Sequence, residues 1–364
     1  MSNTFCFVGK ISRRKEGAFK ETNFGSGWMI NDLNLTMTCG DNVQFLRASG
    51  GMWDDAHASK NSVMTMKYNE NGPDEKLTVK WEDRMKPEII EMVSNYKTYT
   101  IDTEIGKVRD EIKASGDSAA LEASNRKHKT FITAIDFVRY LDKATSDERT
   151  KDWVWKVTGE VEYRYDKGQW YRNFVPRRVY HVDSTTKPMC SGVIKTFFSE
   201  GCINEDGEND IVINAYTQYY DNSCKKNCFT PVSLVLAKDH PKANGFKVMY
   251  NKASGEEVRE FGVNVTYING SQKVEISEDM LTEEQKEMLD LGMTTMDDIR
   301  QELGGSVYGD RKTETRIEGI ARGYTGGTKE TVFSANDISK LPIKDEPKSE
   351  LNDDDDFDIF GDDI

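Results

Sequence analysis

The sequence predicts a mainly β chain with minor α content, arranged as small units in tandem. Three observations carry this expectation. Apolar residues recur at every second position over much of the chain, as in Leu33, Leu35, Met37 and Cys39. Turn signals such as Gly40-Asp41-Asn42, Asn71-Gly72-Pro73 and Asp166-Lys167-Gly168-Gln169 punctuate these runs. The length of 364 residues exceeds one ordinary core, and about 150 residues per domain gives two or three.

Residues 1–100 read as strands and turns. Phe5 and Phe7 alternate toward Gly9-Lys10-Ile11, Trp28 to Ile30 opens a second segment, and Val43 and Phe45 lead past Arg47 to Gly50-Gly51. Val63 to Tyr68 and Leu77 to Trp81 form a further pair. Residues 102–126, charged and rich in Ala, Glu and Lys, suit a short helix or loop, after which Phe131 to Tyr140 resumes the β pattern. The clearest element follows. Trp153, Trp155, Val157, Gly159, Val161, Tyr163 and Tyr165 share one strand face, and Trp170 to Val182 returns as a long hairpin. Val193 to Phe198, Ile211 to Tyr220 and Val232 to Ala237 add strands, and Phe246 to Ile276 is again β-like. Thr282 is placed to cap a helix through Leu291, and Thr294 or Thr295 another through Leu303, before a last strand from Arg316 to Tyr324. The expected units are residues 1–145, 150–245 and 246–340, with a disordered acidic tail over 345–364.

Gly9, Gly159 and Gly319 each sit inside a β-like run, a weak repeat at domain-sized intervals. Glycine there marks a bulge or bend of the kind a small closed barrel needs. Short strands, bends and loops therefore point to small barrels of the oligonucleotide-binding type, OB-like and in tandem.

The net charge is −14, but residues 345–364 hold ten carboxylates against Lys348, which is −9, and the preceding 344 residues carry only −5. Screening limits a charge's reach to about 8–10 Å, so a local basic groove is compatible with this balance. No run approaches 18 apolar residues and the N-terminus lacks a signal-peptide pattern, so no membrane partner and a cytoplasmic location are expected. Six cysteines in this length are expected as reduced thiols.

The chemistry of single-stranded nucleic acid needs flat rings that stack on bases and cations that track phosphates. The hairpin interleaves both. Eight rings lie between Trp153 and His181, among them Trp170, Tyr171 and Phe174, alternating with Lys156, Arg164, Arg172, Arg177 and Arg178. One hairpin cannot bury eight rings on both faces, although most single aromatics serve packing. Thinner clusters are Trp28, Phe45, Arg47, Trp53, Tyr68 and Trp81 in the first unit, and Tyr219, Tyr220, Lys225 and Lys226 in the second. Cys224 and Cys228 have ligand-like separation, but Cys190 and Cys202 stand twelve apart, so no metal or other cofactor is expected. No catalytic constellation is found. The four histidines are isolated, and Gly304 and Gly309 lack a phosphate-loop lysine because Asp310 occupies its place.

In the tail, Asp353, Asp354, Asp355 and Asp356 precede Phe357, Ile359, Phe360 and Ile364. Carboxylates around apolar anchors suit docking in a partner's pocket with a basic rim. This tail, behind an OB-like body, resembles the single-stranded DNA-binding proteins of bacteria and their phages. The resemblance implies a non-enzymatic protein that binds single-stranded DNA in replication, recombination or repair in the cytoplasm of a bacterial or phage-infected cell. It also implies that the tail recruits replication and recombination proteins and competes with DNA for the groove. One departure is that Gly361-Asp362-Asp363-Ile364 follows Phe360, where cellular members end on phenylalanine. Two other functions fit the residues: a transcription-regulating or interaction factor whose tail contacts polymerase, and a metal-dependent nucleic-acid enzyme using scattered Asp and Glu.

Overall fold

The computed structural model describes residues 3–13, 17–205, 210–221, 224–274, 281–296, 298–299 and 307–342. It is mainly β, and its strands close into two rings. The first 60 residues supply β1 (Thr4–Arg13), β2 (Phe19–Asn23), β3 (Trp28–Cys39) and β4 (Asn42–Trp53), the last two joined by the tight turn at Gly40, whose φ is +63°. A small separate hairpin follows, β5 (Ser62–Lys67) with β6 (Glu75–Lys80), then α1 (Pro87–Met92) and β7 (Tyr99–Asp102). The charged stretch forms two helices, α2 (Gly106–Ser115) and α3 (Ser118–Asn125), before β8 (His128–Phe131) and α4 (Ala134–Ser146). The long hairpin is β9 (Val154–Asp166) with β10 (Gln169–Val182), paired from end to end as the alternation predicts.

Strands β1, β3, β4, β10 and β9 are linked in that order, and β9 pairs again with β1, which closes the ring. Only the β4–β10 contact, Leu46 opposite Phe174, is parallel. The remaining chain repeats the scheme with β11 (Met189–Phe198), β12 (Ile203–Asn204), β13 (Ile211–Asp221), β14 (Lys226–Leu236), α5 (Ala243–Tyr250), β15 (Glu257–Val274), α6 (Glu283–Asp290), β16 (Val307–Ile320), β17 (Lys329–Ser334) and α7 (Ala335–Ser339). Its ring runs β11–β13–β14–β16–β15–β11, again with one parallel contact, Val235 opposite Arg316. In chain order each ring is one-two-three-five-four-one with a helix between its third and fourth strands, the five-stranded Greek-key order of the OB-fold. The rings join where β1 pairs with β11. Their interiors are continuous: Tyr267 of β15 lies 4.9 Å from Phe174 and 6.0 Å from Phe7 of the first ring. Among the described residues no helix is long and apolar enough to cross a membrane.

The glycines explain how strands bend into rings. β1 pairs with β9 along one edge, and along the other it leaves β11 after Val8 and joins β3 from Lys10. The switch falls at Gly9, where a Cβ would lie 2.1 Å from the Thr38 carbonyl oxygen. At Gly159 a Cβ would lie 2.0 Å from the Val175 carbonyl oxygen, and the register slips there between Pro176 and Arg178. The β15–β16 register slips beside Gly319. Bulges thus fall at Gly159 and beside Gly319, and a change of strand partner falls at Gly9. The three glycines nevertheless occupy the first and fourth strands of one ring and the fifth of the other, so the repeat of 150 and 160 residues is not a domain period.

Several expectations change. Only the start of Phe131 to Tyr140 is strand; Thr133 caps α4, which buries Ile135, Phe137, Val138 and Leu141. Ile135, Val138 and Leu141 are three apart and Phe131, Ile135 and Phe137 also satisfy an alternating pattern, so periodicity alone chose the wrong element. Gly50 lies within β4 rather than ending it, because a Cβ there would meet the backbone of Ala134 and Ile135 at the start of α4. Phe246 to Tyr250 is helical, and the strand expected to Ile276 begins only at Glu257, with residues 275–276 outside the described ones. The expected last strand stops at Ile320, and β17 was not foreseen. Thr282 does cap α6 with a reciprocal Gln285 box. The second expected helix begins at Thr295, whose hydroxyl accepts from the Asp298 N–H at 3.2 Å, and its stretch over 300–303 lies outside the described residues. Both hairpin strands close the first ring, so the boundary expected between 145 and 150 falls inside that ring, and residues 246–340 supply two strands of the second.

Candidate nucleic-acid interface

Alternation along β4 turns Leu46 and Ala48 inward and Phe45, Arg47 and Ser49 outward, opposite Thr36, Asn34 and Asp32 of β3. Arg47 and Ser49 border a cleft of about 760 Å³ between the rings, lined by β4, β9 and β10 on one side and β11 and β13 on the other. Four cations reach it: Arg47, Arg164, Arg177 and Lys195. Each already has a carboxylate partner. Arg47 meets Asp32 at 3.0 Å, Arg177 meets Glu160 at 3.0 Å, Lys195 meets Glu260 at 3.2 Å and Arg164 meets Asp166 at 3.7 Å. The exposed Arg164–Asp166 pair is of the surface kind worth about 0–1 kcal/mol, so a phosphate can replace that carboxylate at little cost, whereas Lys195 and Glu260 are both largely buried. Desolvation pushes the Glu162 carboxyl in the same cleft upward, partly offset by Arg177. Asn3 fastens the cleft to both rings. Its side-chain amide donates to Thr217 Oγ1 at 2.7 Å and its side-chain oxygen accepts from the Lys195 N–H at 2.9 Å in the second, while its backbone carbonyl accepts from the Val161 N–H at 3.0 Å in the first.

At one end the tip of the long hairpin leans on the second ring. Trp170 packs tilted against Tyr165 at 4.7 Å and edge-on to Tyr219 of β13 at 5.8 Å. The Tyr219 hydroxyl donates to Asp221 Oδ2 at 3.1 Å. Its neighbour Tyr220 points the other way and is 56% exposed, with Lys225 and Lys226 exposed at the following turn. Tyr171 is exposed and carries the Arg164 guanidinium 5.3 Å above its ring. Arg172 is held differently. Its guanidinium lies 5.2 Å from the Phe174 ring and 5.1 Å from that of Tyr267, and donates to Thr315 Oγ1 at 3.0 Å. It is a bolt between the rings.

The other sequence candidates are dispersed. Phe174 is buried against Phe5 and Phe7, and Trp53 is buried edge-on to Trp28, with Lys60 above it at 4.5 Å. Neither ring can stack on a base in this fold. Tyr219 is also buried, as packing for Trp170. Trp81, beneath Arg84, and exposed Tyr68 flank the small β5–β6 hairpin. Arg178 is bonded to Asn95, and Lys156 is exposed on β9 opposite Tyr180. The cleft thus gathers Arg47, Arg164, Arg177, Tyr219 and Tyr220 from the candidates, and adds Lys195, Asn173, Gln218 and Asn227. Lys195, a lone cation within an apolar strand, was the one legible signal among those missed. On the second ring, the outer face near Phe229 is covered by β17 and α7: Phe333 meets Phe197 at 5.8 Å and Phe229 at 5.0 Å, and Ile338 seals the cluster. The tail residues lie outside the described ones.

No family model matches the chain, and no curated protein is significantly similar to it. Among solved structures it is similar to two of the single-stranded DNA binding protein from Thermus aquaticus. One, a deletion mutant, is 8% identical with a TM-score of 0.33, covering 96% of this chain and 98% of that one. The other, the wild type, is 7% identical with a TM-score of 0.32, covering 88% and 94%. At this level of likeness the OB assignment rests on the strand order of the two rings.

Proposed function

We propose that the chain is a non-enzymatic single-stranded DNA-binding protein of replication, recombination or repair, acting in the cytoplasm of a bacterial or phage-infected cell. The observation that carries the reading is the cleft between two OB rings, where Arg47, Arg164, Arg177 and Lys195 converge near exposed Tyr220 and Tyr171. A flexible strand can lay its phosphates on these cations, exchanging the carboxylates now paired with them, while bases stack on the exposed rings. Phe45, 47% exposed on the β3–β4 face, extends the path along the surface that OB-folds use for oligonucleotides. The tail, with Phe357, Ile359 and Phe360 as anchors among carboxylates, recruits partner proteins and occupies the cleft when DNA is absent.

The test is a fluorescence titration with oligo-dT and with duplex DNA over a range of salt. The expected result is quenching of tryptophan emission, tighter binding to the single strand, and an affinity that falls with salt as counterions are released from phosphates. Equal affinity for duplex, or none for either, refutes the proposal.

A further inference from the structure

Of the six thiols, Cys39 and Cys190 are buried in the same core, and Cys202 donates to the Tyr250 carbonyl. Cys190 and Cys202 therefore do not join the other two. Cys224 and Cys228 face each other across the β13–β14 turn with their sulfurs 3.6 Å apart. A carboxylate completes the group: the ligand atoms of Asp221, Cys224 and Cys228 all lie within 4.8 Å of one another.

We propose that Asp221, Cys224 and Cys228 bind a zinc ion. Two sulfurs at about 2.3 Å from one tetrahedral zinc stand about 3.8 Å apart, close to the separation found, whereas a disulfide needs about 2.05 Å. The carboxylate is already aimed, because the Tyr219 hydroxyl donates to its Oδ2 at 3.1 Å, the outer-shell hydrogen bond that orients a metal ligand. Charge also balances. Two thiolates and a carboxylate leave −1 on the zinc complex, and Lys225 and Lys226 stand beside it. Lys225 adopts φ +48° between the two cysteines, a left-handed turn that brings both thiols to one side. On binding, the two thiol protons pass to solvent and water fills the fourth position. The ion staples the turn that carries Tyr219 against Trp170, at the edge of the cleft that Asp221 also lines.

The test uses the full chain, stripped with a chelator under reducing conditions and titrated with Co²⁺. One equivalent should give a near-ultraviolet thiolate-to-cobalt charge-transfer band that an equimolar amount of Zn²⁺ removes. Cys224→Ser with Cys228→Ser should abolish the band, while Cys39→Ser with Cys190→Ser keeps it. Tyr219→Phe should lower zinc affinity about 10-fold by freeing the carboxylate. Because the wild-type chain carries the cobalt signal, the result stands even if a variant fails to fold. Absence of a sulfur-to-cobalt band, or a band that survives loss of both Cys224 and Cys228, overturns the proposal.

Discussion

Replacing Arg172 by alanine separates packing from DNA contact in the long hairpin. Its guanidinium lies over two buried rings and donates to Thr315 across the junction between the rings. A partly desolvated cation–ring contact is worth about 0.5–2 kcal/mol, and a hydrogen bond from a charged donor about 1.5–3 kcal/mol. With water recovering part of the bond, Arg172→Ala should lose about 2–4 kcal/mol of stability. Arg164 is the control: it is 57% exposed over Tyr171, and Arg164→Ala should stay within about 0.5 kcal/mol. Urea unfolding followed by the fluorescence of the six tryptophans measures both, read as midpoint shifts at unchanged slope. In DNA titrations the roles should invert, Arg164→Ala weakening binding and lowering the salt slope by about one. An Arg172→Ala midpoint equal to wild type, with affinity lost instead, refutes the assignment of Arg172 to the junction.

Gly159→Ala should cost about 3 kcal/mol, since its Cβ would strike the Val175 carbonyl, whereas Gly319→Ala, with nothing closer than Asn264 Nδ2 at 3.8 Å, should cost under about 1 kcal/mol; paired melts decide. Burial alone would raise the Asp102 carboxyl, but hydrogen bonds from His128 and Arg109 prevail and hold it below its ordinary value. A carboxylate depressed in the folded state stabilises above the unfolded pKa of about 4 and loses that contribution as pH falls through the folded value. Acid unfolding should therefore steepen below about pH 4, and Asp102→Asn should flatten that limb in pH-dependent melts. Truncation after Lys344 should raise single-strand affinity, most at low salt, with the melting temperature unchanged. Alanine at Phe357, Ile359 and Phe360 should abolish partner capture and leave DNA affinity near wild type, because no charge is removed. Unchanged low-salt affinity on truncation refutes occupancy of the cleft by the tail.

By itself the sequence determined the β character, the hairpin from Val154 to Val182, the turns at Gly40 and Gly168, the cap at Thr282 and the bends at Gly9 and Gly159. These are legible because each depends on residues a few positions apart: a two-residue period, a positive φ, a capping hydroxyl. The tertiary structure decided the rest. Alternation separates two faces of β10 but does not say that Phe174 meets Tyr267 from another ring, or that Arg172 is clamped there while Arg164 faces the cleft. It could not assign Phe131 to Tyr140, where the apolar positions of a helix and a strand coincide, nor show that the long hairpin closes the first ring. Closure of the first ring depends on pairings between residues more than a hundred apart, β1 with β9 and β4 with β10, and no local pattern encodes those partners. Lys195, Asn173 and Tyr220 line one cleft because two barrels share a core, which is a property of the packing and not of any one strand.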